Sequence, residues 1–175
     1  MFKKSLLVLS LACAPFLSQA SWNAGVNYIN VSSESAGSDI SLSGIAGSIG
    51  YLIPSGNNLF LMPELKVGVG LADDTISLAG DEVKIEMDQY LSLSFRGQYA
   101  VGSGGYVFAA PAYTYISSKA TGNVAGSNVS IGSDEWEFGM GVGAGYMLTD
   151  FISAELMYEK YSDTDILNFG IKLHF

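Results

Sequence analysis

Seven charged side chains stand in stretches of sequence that otherwise alternate between apolar and small polar residues. Charges that share a water-poor interior must pair with opposite charges, because an unpaired buried charge is strongly unfavourable. Two kinds of chemistry fit this pattern: a network of buried ion pairs that fills the interior of a barrel, or a gate across a narrow ion path. The residues of this predicted lumen charge network are Glu64, Lys66, Asp88, Arg96, Glu137, Glu155 and Lys172.

Hairpin geometry indicates which of these charges could meet. A four-residue turn at 162–165 would bring Glu155 opposite Lys172, and pairing of the third and fourth strands would place Glu64 opposite Arg96. A network of ion pairs explains the charges without requiring transport, so we favour it over the gate.

Catalytic chemistry has little support in this sequence. The single histidine, His174, is predicted to face the lumen, and the serine-rich stretches have no partner base that would make a nucleophile. The glycines of 139–145 recur at every second position, which is not the spacing of a phosphate-binding loop. We therefore predict no enzyme, no catalytic residue, no cofactor and no metal site.

The elements that carry these residues are β-strands. In 166–175 the apolar residues recur with a period of two, as they do on one face of a strand. Seven further segments from Trp22 onward repeat this pattern, joined by links that alternate between short and long, and the sequence shows no helical stripe. The apolar face of the last segment consists of Leu167, Phe169, Ile171, Leu173 and Phe175.

The composition of the two faces predicts which one is inside. Glycine falls on the polar face, which suits a barrel of about eight strands because its interior is narrow. The apolar faces are long enough to cross a hydrocarbon layer, and aromatic residues such as Trp22, Tyr51, Trp136 and Phe175 lie toward their ends. We predict an all-β fold, an eight-stranded antiparallel up-and-down transmembrane β-barrel. A secreted soluble ligand-binding barrel shares the period and remains an alternative.

The first 20 residues predict export. Lys3 and Lys4 precede an apolar run that ends in small residues at Ala20, as in a secretory signal peptide. Cleavage would leave residues 21–175 as one barrel domain, would remove the only cysteine, Cys13, and would take the formal charge from −9 to −11. Such an acidic chain is not expected to bind nucleic acid.

The whole predicted mature chain resembles the small eight-stranded outer-membrane barrels typified by outer membrane proteins A and X and the opacity proteins. Its final strand resembles the carboxy-terminal signature that the assembly machinery reads in that family. The resemblance implies location in the cell outer membrane of a Gram-negative bacterium, contact with outer-membrane lipid and lipopolysaccharide, a monomer, and a largely plugged lumen. The predicted assembly signal consists of Phe169, Ile171, Leu173 and Phe175.

Within this resemblance, a structural or surface-interaction role is the main hypothesis. The alternatives are a narrow gated ion channel and an outer-membrane lipid-modifying enzyme. The long links are acidic and are predicted to face outward, so an extracellular partner could bind them.

Overall fold

The protein is an all-β barrel in the computed structural model, which describes residues 21–175 apart from 36–37, 73, 79–80 and 125–126. The predicted signal peptide lies outside the described residues. Among the described residues, no helix is long and apolar enough to span a membrane. The strands are β1 Ser21–Ser35, β2 Ser38–Pro54, β3 Leu59–Ala72, β4 Asp74–Leu78, β5 Asp81–Val101, β6 Gly105–Val124, β7 Ser127–Thr149, β8 Ile152–Lys160 and β9 Thr164–His174.

The sheet closes on itself. Strand β1 pairs with both β2 and β9, and β3 pairs with both β2 and β5, always antiparallel. The short β4 lies only against the first residues of β5 and extends the position of β3 in the ring. The closed ring therefore has eight strand positions in chain order, as the alternation predicted, and within the described residues every strand except the short β4 pairs with two neighbours.

Hairpins of unequal length join the strands at the two ends of the barrel. Short turns follow Pro54, Val101 and Thr149 at one end, where Gly102 and Gly104 take positive φ values of 61° and 98°. At the opposite end most hairpins are longer. Residues 117–134 are rich in glycine, serine and asparagine, a composition that predicts a loop, but the described part of this stretch is paired strand. Strands β6 and β7 stay paired from Ser117↔Asp134 to Val124↔Ser127. This pairing gives the backbone N–H and C=O groups of both strands hydrogen-bond partners.

The outer surface of the barrel is apolar. Residues of β3, β7 and β9 such as Val67, Phe138 and Phe169 are half or more exposed, as the period-two pattern predicted. Near the long hairpins, Trp136 stacks on Tyr113 with a ring centroid separation of 4.9 Å. Near the short turns, Trp22 packs edge-on against Tyr51 at 5.1 Å. Aromatic pairs at both ends suit the two lipid–water interfaces.

Four glycines of β7, at positions 139, 141, 143 and 145, face the lumen and make room for bulky side chains from other strands. A Cβ added at Gly143 would collide with the ring of Phe108, and one at Gly145 would collide with Tyr106. A Cβ at Gly139 would collide with Tyr161. The period-two glycines are therefore explained by close packing across a narrow interior.

One predicted face is wrong in β5. The pairing of β5 with β6 shifts register between Met87 and Gln89. On the long-hairpin side of this bulge, residues of β5 that would face outward face the lumen, and the reverse. Counted back from Leu91 and Leu93, a strict period of two predicts that Met87 lies on the outer face, but the bulge turns it into the lumen, where it is buried. It joins an apolar cluster inside the long-hairpin half of the barrel, formed by Ile29, Val31, Leu42, Ala46, Met87, Tyr90, Tyr161 and Ile166.

Candidate functional site in the barrel lumen

Five of the seven predicted lumen charges lie together at the centre of the barrel. Each stands on an inward-facing position of its strand and is no more than 5% exposed. Four different strands supply them, so the cluster exists only in the closed barrel. We call it the central charge cluster: Glu64 and Lys66 from β3, Arg96 from β5, Glu155 from β8 and Lys172 from β9.

Arg96 holds the middle of this cluster. Its guanidinium donates two parallel hydrogen bonds to Glu155, Nη1 to Oε1 at 2.7 Å and Nη2 to Oε2 at 2.8 Å. Nη2 also lies 3.6 Å from Oε2 of Glu64, and the ring of Phe108 lies 3.6 Å beneath the guanidinium carbon. Bidentate pairing and stacking on an aromatic face both fix the orientation of an arginine.

The lysines join the carboxylates into one network. Lys172 Nζ donates to Glu64 and lies 3.2 Å from Oε2 of Glu155, so it bridges the two carboxylates. Lys66 Nζ lies 3.6 Å from Oε2 of Glu159, a fully buried carboxylate on the polar face of its strand that is not one of the seven predicted network residues. With Glu159 included, three carboxylates oppose three cations, and the buried charge is balanced.

The registers predicted for these pairs are wrong by two residues. Arg96 stands opposite Met62, and Glu64 stands opposite Ser94. On the other side of the barrel, Lys172 stands opposite Ser153. The two predicted pairs still form, diagonally between neighbouring strands, with Arg96 3.6 Å from Glu64 and Lys172 3.2 Å from Glu155. The contacts of Arg96 with Glu155 and of Lys172 with Glu64 cross the lumen, because an eight-stranded barrel is narrow enough for long side chains from distant strands to meet.

The structure does not bring Asp88 or Glu137 to the central charge cluster. Asp88 lies at the bulge in β5 and is exposed, since the register shift takes it off the inward-facing row. Glu137 faces inward from β7 but lies further along the barrel, opposite Thr114 and close to the long hairpins. The sequence pattern identified inward-facing positions but could not give their height in the barrel.

A serine–histidine contact lies at the short-turn end. Ser153 Oγ is 2.8 Å from Nε2 of His174, and the hydroxyl of Tyr106 donates to Ser153 at 2.9 Å and to Glu155 Oε1 at 2.8 Å. The sequence missed this contact because the two residues lie on different strands. Ser153 is fully buried, so no substrate reaches its hydroxyl. The contact links the central charge cluster to the lumen end.

Groups that could hold a metal ion are not found in the part of the chain that the structure describes. Its buried carboxylates are occupied by lysine and arginine partners. The lumen therefore offers ion pairing and close packing as its principal chemistry.

Comparison with solved structures finds the same fold in surface proteins of bacteria. Neisserial surface protein A is similar over 90% of this chain and 100% of its own, with 14% identity and a TM-score of 0.57. Ail, the attachment invasion locus protein of Yersinia pestis, has 11% identity, a TM-score of 0.59 and the same coverage. A major outer membrane protein from Thermus thermophilus has 14% identity, a TM-score of 0.56 and again the same coverage. At these identities the likeness shows the fold alone.

Sequence comparison gives the family. No curated protein matches the chain. The family described as outer membrane protein beta-barrel domain matches residues 5–175, which is almost the entire sequence. Together with the closed eight-stranded barrel and its apolar outer surface, this match places the protein in the outer membrane. The chain belongs to the outer membrane protein β-barrel domain family.

Proposed function

We propose that this protein is a structural and surface-interaction protein of the outer membrane whose lumen is closed by its own side chains. The central charge cluster is the observation that carries the proposal. Arg96, Glu155, Glu64 and Lys172 meet across the lumen and are all buried, so they occupy the cross-section through which a solute would pass. Above and below them Met62, Tyr90 and Phe108 add buried bulk.

The number of strands and the cost of separating buried ion pairs both support a closed lumen over an open pore. Water-filled pores of outer-membrane barrels are formed by larger strand numbers, whereas eight strands enclose an interior that side chains can fill. Opening a path here would require the bidentate Arg96–Glu155 pair to separate. Breaking a buried ion pair is expected to cost about 3 to 5 kcal/mol, which disfavours frequent opening.

Solute passage tests this proposal. We expect wild-type protein in planar lipid bilayers to show no steady conductance, only small and brief openings. Vesicles that contain it should exclude small sugars, while vesicles that contain a sixteen-stranded porin admit them. Steady sugar permeation through the wild type would overturn the closed lumen. Sustained ion conductance without sugar permeation would favour the alternative function, a narrow gated channel.

The outer face of β9 supports a second part of the proposal, recognition by the barrel-assembly machinery. Phe169, Ile171, Leu173 and Phe175 form an exposed apolar row at the seam where β9 meets β1. The backbone N–H of Phe175 donates to the carbonyl of Trp22 at 2.9 Å, so the seam is paired up to that residue. A partner that binds β9 before closure would read this row on an unpaired strand.

Substitution of Phe175 by Asp should lower assembly in cells more than the same change at Phe151. Phe151 is the matched control because it is also an exposed aromatic residue at the short-turn end. Folded protein is measured by its shifted mobility on a gel before and after boiling. Both variants should refold alike in lipid without the machinery. Equal assembly of the two variants in cells would remove this part of the proposal.

The long-hairpin end is the proposed surface for interaction with the outside. If the amino terminus of the mature chain is periplasmic, the long hairpins face outward and contact lipopolysaccharide and other surface partners. Their described charged side chains are more often acidic than basic, and the acidic ones include Asp134, Glu135 and Asp163. Ail has been solved with the heparin analogue sucrose octasulfate, a polyanion. An acidic surface would repel such a ligand, so we do not expect this chain to bind polyanions.

We expect neither enzymatic activity nor oligomerisation.

A further inference from the structure

A cavity of about 180 Å³ opens at the long-hairpin end of the lumen. Its floor and sides are largely apolar and include Val31, Leu42, Ile85, Ile116 and the ring of Tyr161. These residues lie on five different positions of the closed ring, so the cavity depends on the folded barrel. It holds the volume of about six water molecules, enough for one small organic group.

One wall of this mouth cavity is acidic. Glu135 and Glu137 both line it from successive inward-facing positions of β7. Glu135 and Asp163 are near enough to Glu137 to repel its negative charge. None of the basic residues that the structure describes lines the cavity: Lys84 pairs with Glu86, and Lys160 pairs with Asp165.

Charge beneath the floor does not offset the negative potential of this wall. Tyr161 and Thr114, which line the cavity, share a hydrogen bond of 2.7 Å, and the Tyr161 hydroxyl donates to Glu159 Oε1 at 3.4 Å. Glu159 is fully buried, and its other oxygen has no hydrogen-bond partner, only Lys66 at 3.6 Å. Because the central charge cluster and Glu159 are balanced when counted together, they leave no net positive charge to compensate the carboxylates of the mouth.

We propose that the mouth cavity binds a small organic cation with an apolar body, such as an aryl or alkyl ammonium. The apolar group would lie on Leu42, Ile116 and Tyr161, and the ammonium would face Glu135 and Glu137. The aromatic ring of Tyr161 adds a surface that attracts cations. Three features therefore select the same ligand: volume, apolar floor and acidic wall.

A bare divalent cation fits the cavity less well than an organic one. Such ions need several oxygen ligands at short distance, and the described residues contain no group of three or more suitable side chains. An anionic or neutral ligand would gain the apolar contacts but would meet repulsion or no attraction at the wall. This inference goes beyond the closed lumen and does not depend on it.

Methyl NMR of the full barrel in phosphocholine nanodiscs tests this binding. The probes are benzylammonium, benzyl alcohol and benzoate, which share a ring and differ in charge. We expect benzylammonium to shift the methyl signals of Ile85, Ile116 and Leu42 at the lowest concentration and benzoate at the highest. The lipid-facing methyl groups of Ile49 and Ile171 report partition of the probes into the bilayer. Their shifts on addition of each probe should be the same in the wild type and in the variants.

Substitutions on β7 separate the acidic wall from general surface charge. Glu135→Gln and Glu137→Gln should each weaken benzylammonium binding by up to about fivefold and leave benzyl alcohol unchanged. Asp134→Asn is the matched control, because it removes the same charge from the neighbouring residue, which does not line the cavity. It should leave all three affinities unchanged.

Several results would overturn the proposal. Equal affinity for benzylammonium and benzyl alcohol would leave only an apolar cavity. An equal loss in Asp134→Asn would show a diffuse surface effect, and displacement of benzylammonium by calcium would indicate an ion site. Absence of shifts at the methyl groups that line the cavity would exclude binding. None of these results bears on the proposed closed lumen, which is tested separately by sugar exclusion.

Discussion

Gly143→Val should prevent the barrel from folding or destabilise it by more than about 3 kcal/mol. A Cβ at Gly143 would lie 2.6 Å from the carbonyl oxygen of Leu156 and would also collide with the ring of Phe108. The carbonyl belongs to the neighbouring strand β8, so it cannot move without opening the ladder between β7 and β8. Urea unfolding in lipid vesicles and gel mobility before boiling measure the effect.

Ala144→Val is the matched control for this substitution. Ala144 is the next residue of β7 and is exposed on the lipid-facing side, where an extra pair of methyl groups meets hydrocarbon. We expect a change within about 0.5 kcal/mol. Equal stability of the two variants would mean that the lumen has room to spare, in conflict with the close packing that we describe for the glycine face.

Much of the fold could be predicted from the sequence because a strand has a period of two. The apolar faces of β3, β7 and β9 and the inward glycines follow directly from that alternation. The wrong assignment of Met87 has a local cause, since a bulge adds a residue without a clear mark in the sequence and reverses the faces beyond it. The long hairpins were missed because glycine, serine and asparagine are typical of loops.

The candidate site was predictable in composition and in the two pairs that join neighbouring strands. Alternation places Glu64, Arg96, Glu155 and Lys172 on the inward face, and the structure pairs Glu64 with Arg96 and Glu155 with Lys172, although each register is shifted by two residues. The contacts across the lumen, Arg96 with Glu155 and Lys172 with Glu64, could not be predicted, because the reach of side chains between distant strands depends on the closed barrel. For the same reason the contact between Ser153 and His174 and the mouth cavity were invisible in the sequence.

Arg96→Ala should destabilise the barrel by about 3 to 5 kcal/mol, less any contribution from water that enters the lumen. The change leaves Glu155 without its bidentate donor and removes one of the two cations that contact Glu64. Lys172 still contacts both carboxylates and limits the loss. The lipid-facing Trp22 and Trp136 report unfolding by their fluorescence, because each leaves the hydrocarbon boundary when the barrel opens.

The Lys84–Glu86 pair supplies the control for this experiment. Its charged groups also contact each other, but both side chains are substantially exposed to solvent. Exposed ion pairs contribute at most about 1 kcal/mol, so the coupling between Lys84→Ala and Glu86→Ala should be small. A coupling free energy between Arg96 and Glu155 that exceeds the value for Lys84 and Glu86 then reflects the burial of the Arg96–Glu155 pair and its bidentate geometry.

The coupling free energy between Arg96 and Glu155 is the measurement that tests the closed, charge-paired lumen most directly. It is obtained from the urea unfolding of the wild type, Arg96→Ala, Glu155→Ala and the double variant. We expect the double variant to be more stable than the sum of the single losses predicts, with a coupling of about 1 to 3 kcal/mol. Single losses that add to within about 0.5 kcal/mol would show that the two side chains do not act as a pair and would contradict the charge-closed lumen.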